Sequence, residues 1–188
     1  SGNAYMNLDI KTPMHRTGNI LELIQPELII TNQQHIDRFA GIWASDKLVN
    51  LDLIDYEKQT YSKDEIEGTL SKIIDTDPLC IINTSGSTGV PKGVVLNHRS
   101  FIDFTEWAIN TTGIGEDEVI GSLSPLVFDI FSFELCMMMA LGSKIVIIPD
   151  KFSPFPVRIL ELLEQHNVTY IFWVPTIMVN IANMDLLT

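Results

Sequence analysis

The chain has 188 residues, 46% of them apolar and 19% charged, a balance that is typical of a folded globular protein and excludes a disordered one. Its formal net charge of −12 excludes an extended nucleic-acid interface, because such interfaces need clustered Lys and Arg side chains, which this sequence lacks. No apolar run reaches the roughly 18 residues that span a bilayer, so we expect no membrane partner. Cys80 and Cys136 each lie inside an apolar run without metal-ligand spacing, which favours a reducing, cytoplasmic compartment.

Apolar periodicity in the first half of the chain changes repeatedly between strand and helix types. The predicted elements are a strand at 28–30, a helix at 33–43, a strand at 47–53, a helix from 62 to 73 and a strand at 79–84. A further strand is predicted at 93–96, after a segment rich in glycine and hydroxyl side chains. Residues 1–114 are predicted to form a first α/β subdomain.

The second half of the chain alternates strands and helices at a regular spacing. Helices are predicted from residue 97 or 100, at 131–141 with Gly142 as the C-terminal glycine, at 156–166 and from 175, and strands at 119–123, 144–148 and 169–173. This alternation suits βαβ crossovers and a parallel sheet, so the predicted fold class is α/β. The acidic run 116–118, beside Gly113 and Gly115, predicts a junction, so that residues 115–188 form a second α/β subdomain.

The segment 83–93 contains four hydroxyl side chains, three glycines and one lysine, directly after an apolar run. Glycine lets the backbone approach an anion closely, hydroxyls donate hydrogen bonds and lysine supplies charge, so the composition predicts a loop that holds phosphate. The segment is not a P-loop, because Val90 and Pro91 separate Lys92 from the preceding glycine and Gly93 stands where Ser or Thr should be. A surface linker rich in Gly and Ser is the alternative, which the apolar β-branched flanks disfavour.

A second group of residues, Phe-Asp-Ile-Phe-Ser-Phe-Glu at 128–134, follows a predicted strand and enters a predicted helix. Ligands of open α/β sheets bind just past the carboxyl ends of strands, where an acid among aromatic side chains could pair with a ligand ammonium. Asp129 has this position. An aspartate before a helix is equally favoured as an N-cap, and spacing alone leaves both interpretations open.

Other residues that carry chemistry give weaker signals. The four histidines have neither metal-ligand nor triad spacing; they are His15, His35, His98 and His166. His98 lies nearest to the glycine-rich segment, and we expect a structural role for it. Phe172 and Trp173 lie in an apolar strand and are predicted to be core residues on general grounds. No catalytic residue and no metal ligand are predicted.

Together these segments resemble the adenylate-forming superfamily, which includes acyl-CoA synthetases, firefly luciferase and the amino-acid adenylation domains of nonribosomal peptide synthetases. The signature loop of the superfamily reads approximately [YF]-T-S-G-[ST]-T-G-x-P-K-G. Residues 84–93 match it throughout, and only Asn83 departs from it, at the aromatic position.

Two further segments are similar to the amino-acid adenylation branch. Residues 2–21 resemble its stretch G-x-A-Y-[LVM]-P-[LI]-D-P-x-x-P-x-x-R-x-x-x-[IM]-L, with Asn7 and Ile10 in place of two prolines. Phe128-Asp129 resembles its F-D-x-S motif, although Phe131 takes the usual serine position. In that branch the aspartate binds the α-ammonium of the substrate, so the resemblance assigns Asp129 to substrate recognition.

The resemblance implies two sets of binding residues. ATP and pyrophosphate would be bound by Thr84, Ser85, Gly86, Ser87, Thr88, Gly89 and Lys92, and the amino acid by Asp129, Ile130, Phe133 and Phe172. Three apolar pocket positions favour an apolar amino acid, since a polar side chain would lose hydrogen bonds there, and the bulk of Ile130 favours a small one. The implied cofactors are ATP, Mg²⁺ and the phosphopantetheine of a partner peptidyl carrier protein.

The resemblance also implies an architecture of layered parallel-type sheets with flanking helices, as part of a large N-terminal domain. The later motifs of the superfamily, including Y-G-P-T-E and the C-terminal catalytic lysine, do not occur in the sequence, so we expect a fragment that is inactive by itself. Two alternatives stay open. One is a fatty-acyl or aryl-acid ligase, which would generally lack an ammonium-binding aspartate at position 129. The other is a non-catalytic remnant.

Overall fold

The computed structural model describes residues 2–84 and 92–184. The chain folds as two compact units, Ser1–Val95 and Leu96–Thr188. The junction predicted from the acidic run 116–118, with subdomains 1–114 and 115–188, stays a prediction. Within the described ranges, no helix combines the length and the apolar character needed to cross a membrane.

The first unit is built from two short sheets and two helices whose bounds follow its sequence signals. Its helices are α1 (Met14–Ile24) and α2 (Lys63–Leu70), and its strands are β1 (Ile29–Thr31), β2 (Leu48–Asn50), β3 (Pro78–Thr84) and β4 (Lys92–Asn97), the last of which continues into the second unit. The hydroxyl of Ser62 caps α2 by accepting a hydrogen bond from the Glu65 backbone N–H at 3.3 Å. The helix predicted from residue 62 is thereby confirmed, although it ends at Leu70.

The helix predicted at 33–43 is wrong. The structure has only a 3-10 turn there, Ile36–Arg38. The Asn32 side chain accepts a hydrogen bond from the His35 N–H at 3.2 Å, which favours a tight turn, and Gly41 has a φ of +83°, which an α-helix does not tolerate. The strand predicted at 47–53 is shorter for a similar reason, because the Asn50 side chain accepts a hydrogen bond from the Asp52 N–H and starts a 3-10 turn at Leu51–Leu53.

The core of the first unit lies between α1 and the β1–β2 sheet. Leu21 of α1, Ile29 of β1 and Phe39 are buried together, and Trp43 and Leu48 pack against them. Strands β1 and β2 are parallel, with Ile29 opposite Leu48. Strands β3 and β4 are neighbours in a separate sheet.

The second unit is a parallel sheet covered by helices, as the strand–helix alternation predicts. Its elements are α3 (His98–Thr112), β5 (Val119–Ser122), α4 (Asp129–Leu141), β6 (Lys144–Ile147), α5 (Pro156–Gln165), β7 (Tyr170–Ile171) and α6 (Pro175–Asn183). The strand order is β6-β5-β7, and both pairings are parallel. Its sheet and helices confirm the α/β class.

The core of the second unit is formed where α3 and α4 pack on the central strand. Ile120 of β5 is buried with Ala108, Phe133 and Met137. Helix α4 ends at Gly142, whose φ of +70° belongs to the left-handed region that favours glycine, so the predicted C-terminal glycine is confirmed. Packing on one strand therefore fixes α4, and α4 carries Asp129 at its first position.

Candidate functional site

Asp129 is the first residue of α4 and follows the loop that leaves the carboxyl end of β5. Phe128, with extended backbone angles, occupies the N-cap position, so Asp129 does not cap the helix as one interpretation of the spacing proposed. One carboxylate oxygen of Asp129, Oδ1, accepts a hydrogen bond from the Ile130 N–H at 2.9 Å. The side chain is exposed, and Oδ2 accepts no hydrogen bond from the described residues. The carboxylate is therefore available to a ligand, at the positive end of the helix dipole.

A pocket of about 310 Å³ opens beside Asp129. Its apolar wall is formed by Phe128, Ile130, Trp173, Val174 and Ile177, together with Leu123 and Pro125. Its polar groups belong to Asp129, Asp150, Ser124 and Ser153. The volume lies at the lower end of the range of about 300–1,000 Å³ that small-molecule sites occupy. The arrangement of two exposed acids, Asp129 and Asp150, in a largely apolar wall suits a small ligand with a cationic group.

Trp173 is a pocket residue that the sequence did not predict. Its indole Nε1–H donates to the Gly121 carbonyl oxygen at 2.8 Å, which fixes the ring against the central strand. A side chain at Gly121 would not fit, because its Cβ would lie 2.8 Å from the Val168 Cγ1. The prediction that Phe172 and Trp173 are core residues is wrong, since Phe172 is 42% exposed and Trp173 lines the pocket. Aromatic content alone does not show on which side of a strand end each ring lies.

Phe133 and Phe172 lie together, but they are not among the residues that line this pocket. Their ring centroids are 4.8 Å apart at an interplanar angle of 64°, an edge-to-face pair. The ring of Phe104 also belongs to this group, with its centroid 5.2 Å from that of Phe133. Neighbouring residues on an extended chain face opposite sides, so Phe172 faces this aromatic group while Trp173 faces the pocket. The structure thus places Asp129 and Ile130 together in the pocket, and Phe133 and Phe172 together in a separate aromatic group.

The glycine-rich segment is described at its two ends. Ser85, Gly86, Ser87, Thr88 and Gly89 lie outside the described residues. Thr84 ends β3 and Lys92 begins β4, and the Thr84 hydroxyl donates to the Lys92 carbonyl oxygen at 3.4 Å.

The charge of Lys92 suits a phosphate ligand. Its side chain is exposed and has no ion-pair partner among the described residues. An ammonium group and a hydroxyl group are both hydrogen-bond donors of the kind that suits a phosphate ligand. A Mg²⁺ site built from side chains alone would need several acidic ligands close together. The described ranges contain no group of three or more His, Cys, Asp and Glu side chains that could hold a metal ion.

Glu134 is a second residue that the sequence did not single out. It lies on the buried face of α4, three residues before Met137, and its exposed fraction is 0%. Neither carboxylate oxygen has a hydrogen-bond partner of acceptable geometry among the described residues. Burial raises the pKa of Glu134 to about 7, and the Ser122 hydroxyl, which lies near the carboxyl group but outside hydrogen-bonding geometry, lowers it in part. The signal in the sequence was an acid at a position that helical periodicity assigns to the core.

The fold and the site define the class of protein to which the chain belongs. A parallel sheet that places a ligand-accessible acid just past the carboxyl end of its central strand is the arrangement of ligand-binding α/β enzymes. The chain belongs to the AMP-binding enzyme family, whose profile matches residues 1–188.

Related proteins agree with this assignment. Zwittermicin A synthase ZmaJ of Bacillus cereus is 33% identical over 178 residues, which are 95% of this chain and 33% of ZmaJ. Indigoidine synthase of Dickeya dadantii is 28% identical, over 100% of this chain and 13% of that protein. The solved structure of the Vibrio cholerae adenylation domain AlmE, in complex with glycyl-adenosine-5'-phosphate, has a TM-score of 0.77 at 20% identity and covers 100% of this chain and 38% of AlmE.

The sequence motifs predicted a resemblance to nonribosomal peptide synthetase adenylation domains within the adenylate-forming superfamily. These findings confirm it. The chain spans about a third of the length of ZmaJ and of AlmE.

Proposed function

We propose that the protein activates an amino acid with ATP, forming an aminoacyl adenylate and pyrophosphate, and then transfers the aminoacyl group to the phosphopantetheine thiol of a peptidyl carrier protein. The observation that carries this proposal is the exposed carboxylate of Asp129 beside a largely apolar pocket at the end of β5. A carboxylate with a free oxygen attracts an α-ammonium group strongly where apolar side chains reduce the local dielectric.

The residues of this chain would act mainly by binding and by charge. Asp129 would hold the α-ammonium and so place the substrate carboxylate for attack on the α-phosphorus of ATP. As the bond to pyrophosphate breaks, negative charge builds up on the leaving phosphates, and donors placed there stabilise the transition state. Lys92, Thr84 and the segment 85–89 are proposed to supply those donors. Mg²⁺, when bound with ATP, would neutralise phosphate charge.

We infer that the substrate is a small apolar amino acid. Ile130 narrows the pocket beside Asp129, and the indole of Trp173 lines it. The Ser153 hydroxyl donates to Asp150 Oδ1 at 3.5 Å, so part of the remaining polarity is satisfied within the protein. A polar substrate side chain would lose its hydrogen bonds to water against such a wall. The family resemblance adds Phe133 and Phe172 to the substrate-binding residues, whereas Ile130 and Trp173 line the pocket beside Asp129, and we propose that these two contact the substrate side chain.

The test is amino-acid-dependent exchange of pyrophosphate into ATP, measured for a panel of amino acids with the longest form of the protein that contains these residues. We expect exchange with small apolar amino acids. A clear preference for a charged amino acid would contradict the proposed pocket, and exchange only with fatty or aryl acids would favour the corresponding ligase instead.

We also propose that residues 1–188 do not catalyse the reaction by themselves. The segment that frames adenine and the catalytic lysine of the superfamily have no counterpart in this sequence. The purified chain is therefore expected to show no exchange above background with any amino acid. Exchange by this chain alone would overturn that proposal and leave the proposed substrate class in place.

A further inference from the structure

Glu134 is the one charged side chain that is buried among the residues that the structure describes. Its exposed fraction is 0%, and neither carboxylate oxygen has a hydrogen-bond partner within the described ranges. Buried carboxylates are normally paired or hydrogen-bonded, because an isolated charge in an apolar interior is very unfavourable. The proposed reaction does not use Glu134, so this group needs a separate explanation.

Glu134 lies on α4, the helix whose first two residues, Asp129 and Ile130, line the pocket. It follows Asp129 by five positions in the chain. Ser122, the last residue of β5, is 1% exposed and is near enough to influence the carboxyl group. The chain continues from Ser122 into the pocket wall, and the carbonyl just before it, of Gly121, holds the Trp173 indole at 2.8 Å. The carboxyl group therefore lies between α4 and the end of β5, and residues of α4 and of the loop after β5 line the pocket.

The proton on Glu134 is held by burial and not by another charge. Burial raises the pKa of Glu134 to about 7, and Ser122 lowers it in part. Helix α4 packs against α3, β5 and β6, and Tyr170 of β7 packs on the same core. The titratable groups of these elements are His98, Arg99, Asp103 and Glu106 on α3, Asp129 and Cys136 on α4, Lys144 on β6 and Tyr170 on β7, and none of them contributes to this shift.

We propose that Glu134 is a positioning residue, which keeps α4 and the end of β5 packed while it is protonated and displaces them, with Asp129 and Trp173, when it loses its proton. An anion at this point must gain a donor, which requires Ser122 to reorient or α4 to move. The inference rests on the proposed function, because it concerns the regulation of that same site.

The sign of the expected effect follows from the direction of the shift. The folded-state pKa of Glu134 is above the ordinary value for glutamate, so the folded state holds the proton more tightly than the unfolded chain does. The stabilisation is complete below the unfolded pKa and is lost as pH rises through the folded pKa. Substrate binding at Asp129 is expected to weaken over the upper part of the same range.

The first experiment follows unfolding of the 188-residue chain against pH, about two pH units to each side of neutrality. Glu134→Gln has nearly the shape of the protonated acid and is expected to fold and to remove the decline in the unfolding midpoint near pH 7. Ser122→Ala removes the influence that lowers the pKa, so its decline is expected at higher pH. Glu106→Gln, at an exposed position on α3, is the matched control and is expected to behave like the wild type.

The second experiment measures the pH profile of pyrophosphate exchange in the longest form of the protein. In the wild type we expect KM for the amino acid to rise about tenfold across neutrality, the change that one pKa unit represents, while KM for ATP stays constant. Glu134→Gln is expected to keep the low KM throughout. A merely structural role would change the unfolding midpoint and leave the KM profile of the two proteins identical, and that result would overturn the inference.

Failure of the proposed function gives a different result. If no amino acid supports exchange at any pH, the proposed activity fails, and the unfolding profiles still decide whether Glu134 titrates between α4 and β5. Identical unfolding profiles for the wild type and Glu134→Gln would overturn the inference, whatever the activity.

Discussion

At the scale of single residues, Asp129 combines two favourable interactions that a neutral side chain cannot reproduce. Its carboxylate lies at the positive end of α4, and its second oxygen is open to a ligand cation. We predict that Asp129→Asn raises KM for the amino acid by about 10- to 100-fold, because a hydrogen bond to a charged group contributes roughly 1.5–3 kcal/mol. KM for ATP is expected to stay constant. Asp103→Asn, at an exposed site on α3, is the control, and an equal effect there would refute the prediction.

The family resemblance and the structure assign different aromatic residues to the pocket. The resemblance assigns Phe172 to the substrate pocket, whereas the structure places Trp173 in the pocket beside Asp129 and packs Phe172 on Phe133. We predict that Trp173→Ala enlarges the pocket and shifts the exchange preference toward larger amino acids. Phe172→Ala is expected to lower stability by about 1 kcal/mol, the contribution of one aromatic pair, with little change in preference. A change in preference with Phe172→Ala alone would support the resemblance.

At the scale of elements, Gly93, which ends the glycine-rich segment, also has a packing role. A Cβ on Gly93 would lie 2.9 Å from the Ile81 Cγ2, closer than such contacts normally are, so an alanine there must displace the Ile81 side chain. We predict that Gly93→Ala lowers the free energy of unfolding by about 1 kcal/mol, the lower end of the cost of overpacking, because Gly93 itself is exposed.

The matched control for this substitution is Gly18→Ala. Gly18 lies inside α1, and apart from the backbone of its own helix no atom lies within 4 Å of the place that a Cβ would take. Alanine is therefore expected to stabilise the helix by about 1 kcal/mol. Urea unfolding of both variants provides the measurement. If Gly93→Ala instead raised the free energy of unfolding, β3 and β4 would separate more easily than the packing indicates.

At the scale of the whole molecule, the second unit has two open sheet edges among the described strands. In the order β6-β5-β7 the outer strands each have one neighbour, and Ile147 of β6 is 63% exposed. Exposed apolar edge strands promote pairing between chains. We therefore predict that the 188-residue chain associates as its concentration rises, measured by sedimentation velocity.

Ile147→Lys places a charge on that edge and is expected to reduce the association without changing the free energy of unfolding by more than about 0.5 kcal/mol, as for most surface substitutions. A wild-type chain that stays monomeric over the same concentration range would contradict the role assigned to this edge. The cytoplasmic location inferred from the cysteines stays a prediction.

Local signals predicted a large part of the second unit and less of the first. The alternation from residue 115 onward predicted its parallel sheet, and Gly142 marked the end of α4, because periodicity and helix-end chemistry act over a few neighbouring residues. The helix predicted at 33–43 was wrong, since the side-chain hydrogen bond of Asn32 and the positive φ of Gly41 outweigh a short apolar pattern.

By itself, the sequence determined the superfamily, the α/β class and the position of the acid at the start of α4, because motifs and periodicity are local properties of the chain. Only the tertiary structure decided that Trp173 lines the pocket while Phe172 packs on Phe133, and that Glu134 is buried without a partner among the described residues. The physical reason is that the orientation of a ring at a strand end, and the loss of water around a carboxyl group, depend on elements distant in sequence that meet only in the folded unit.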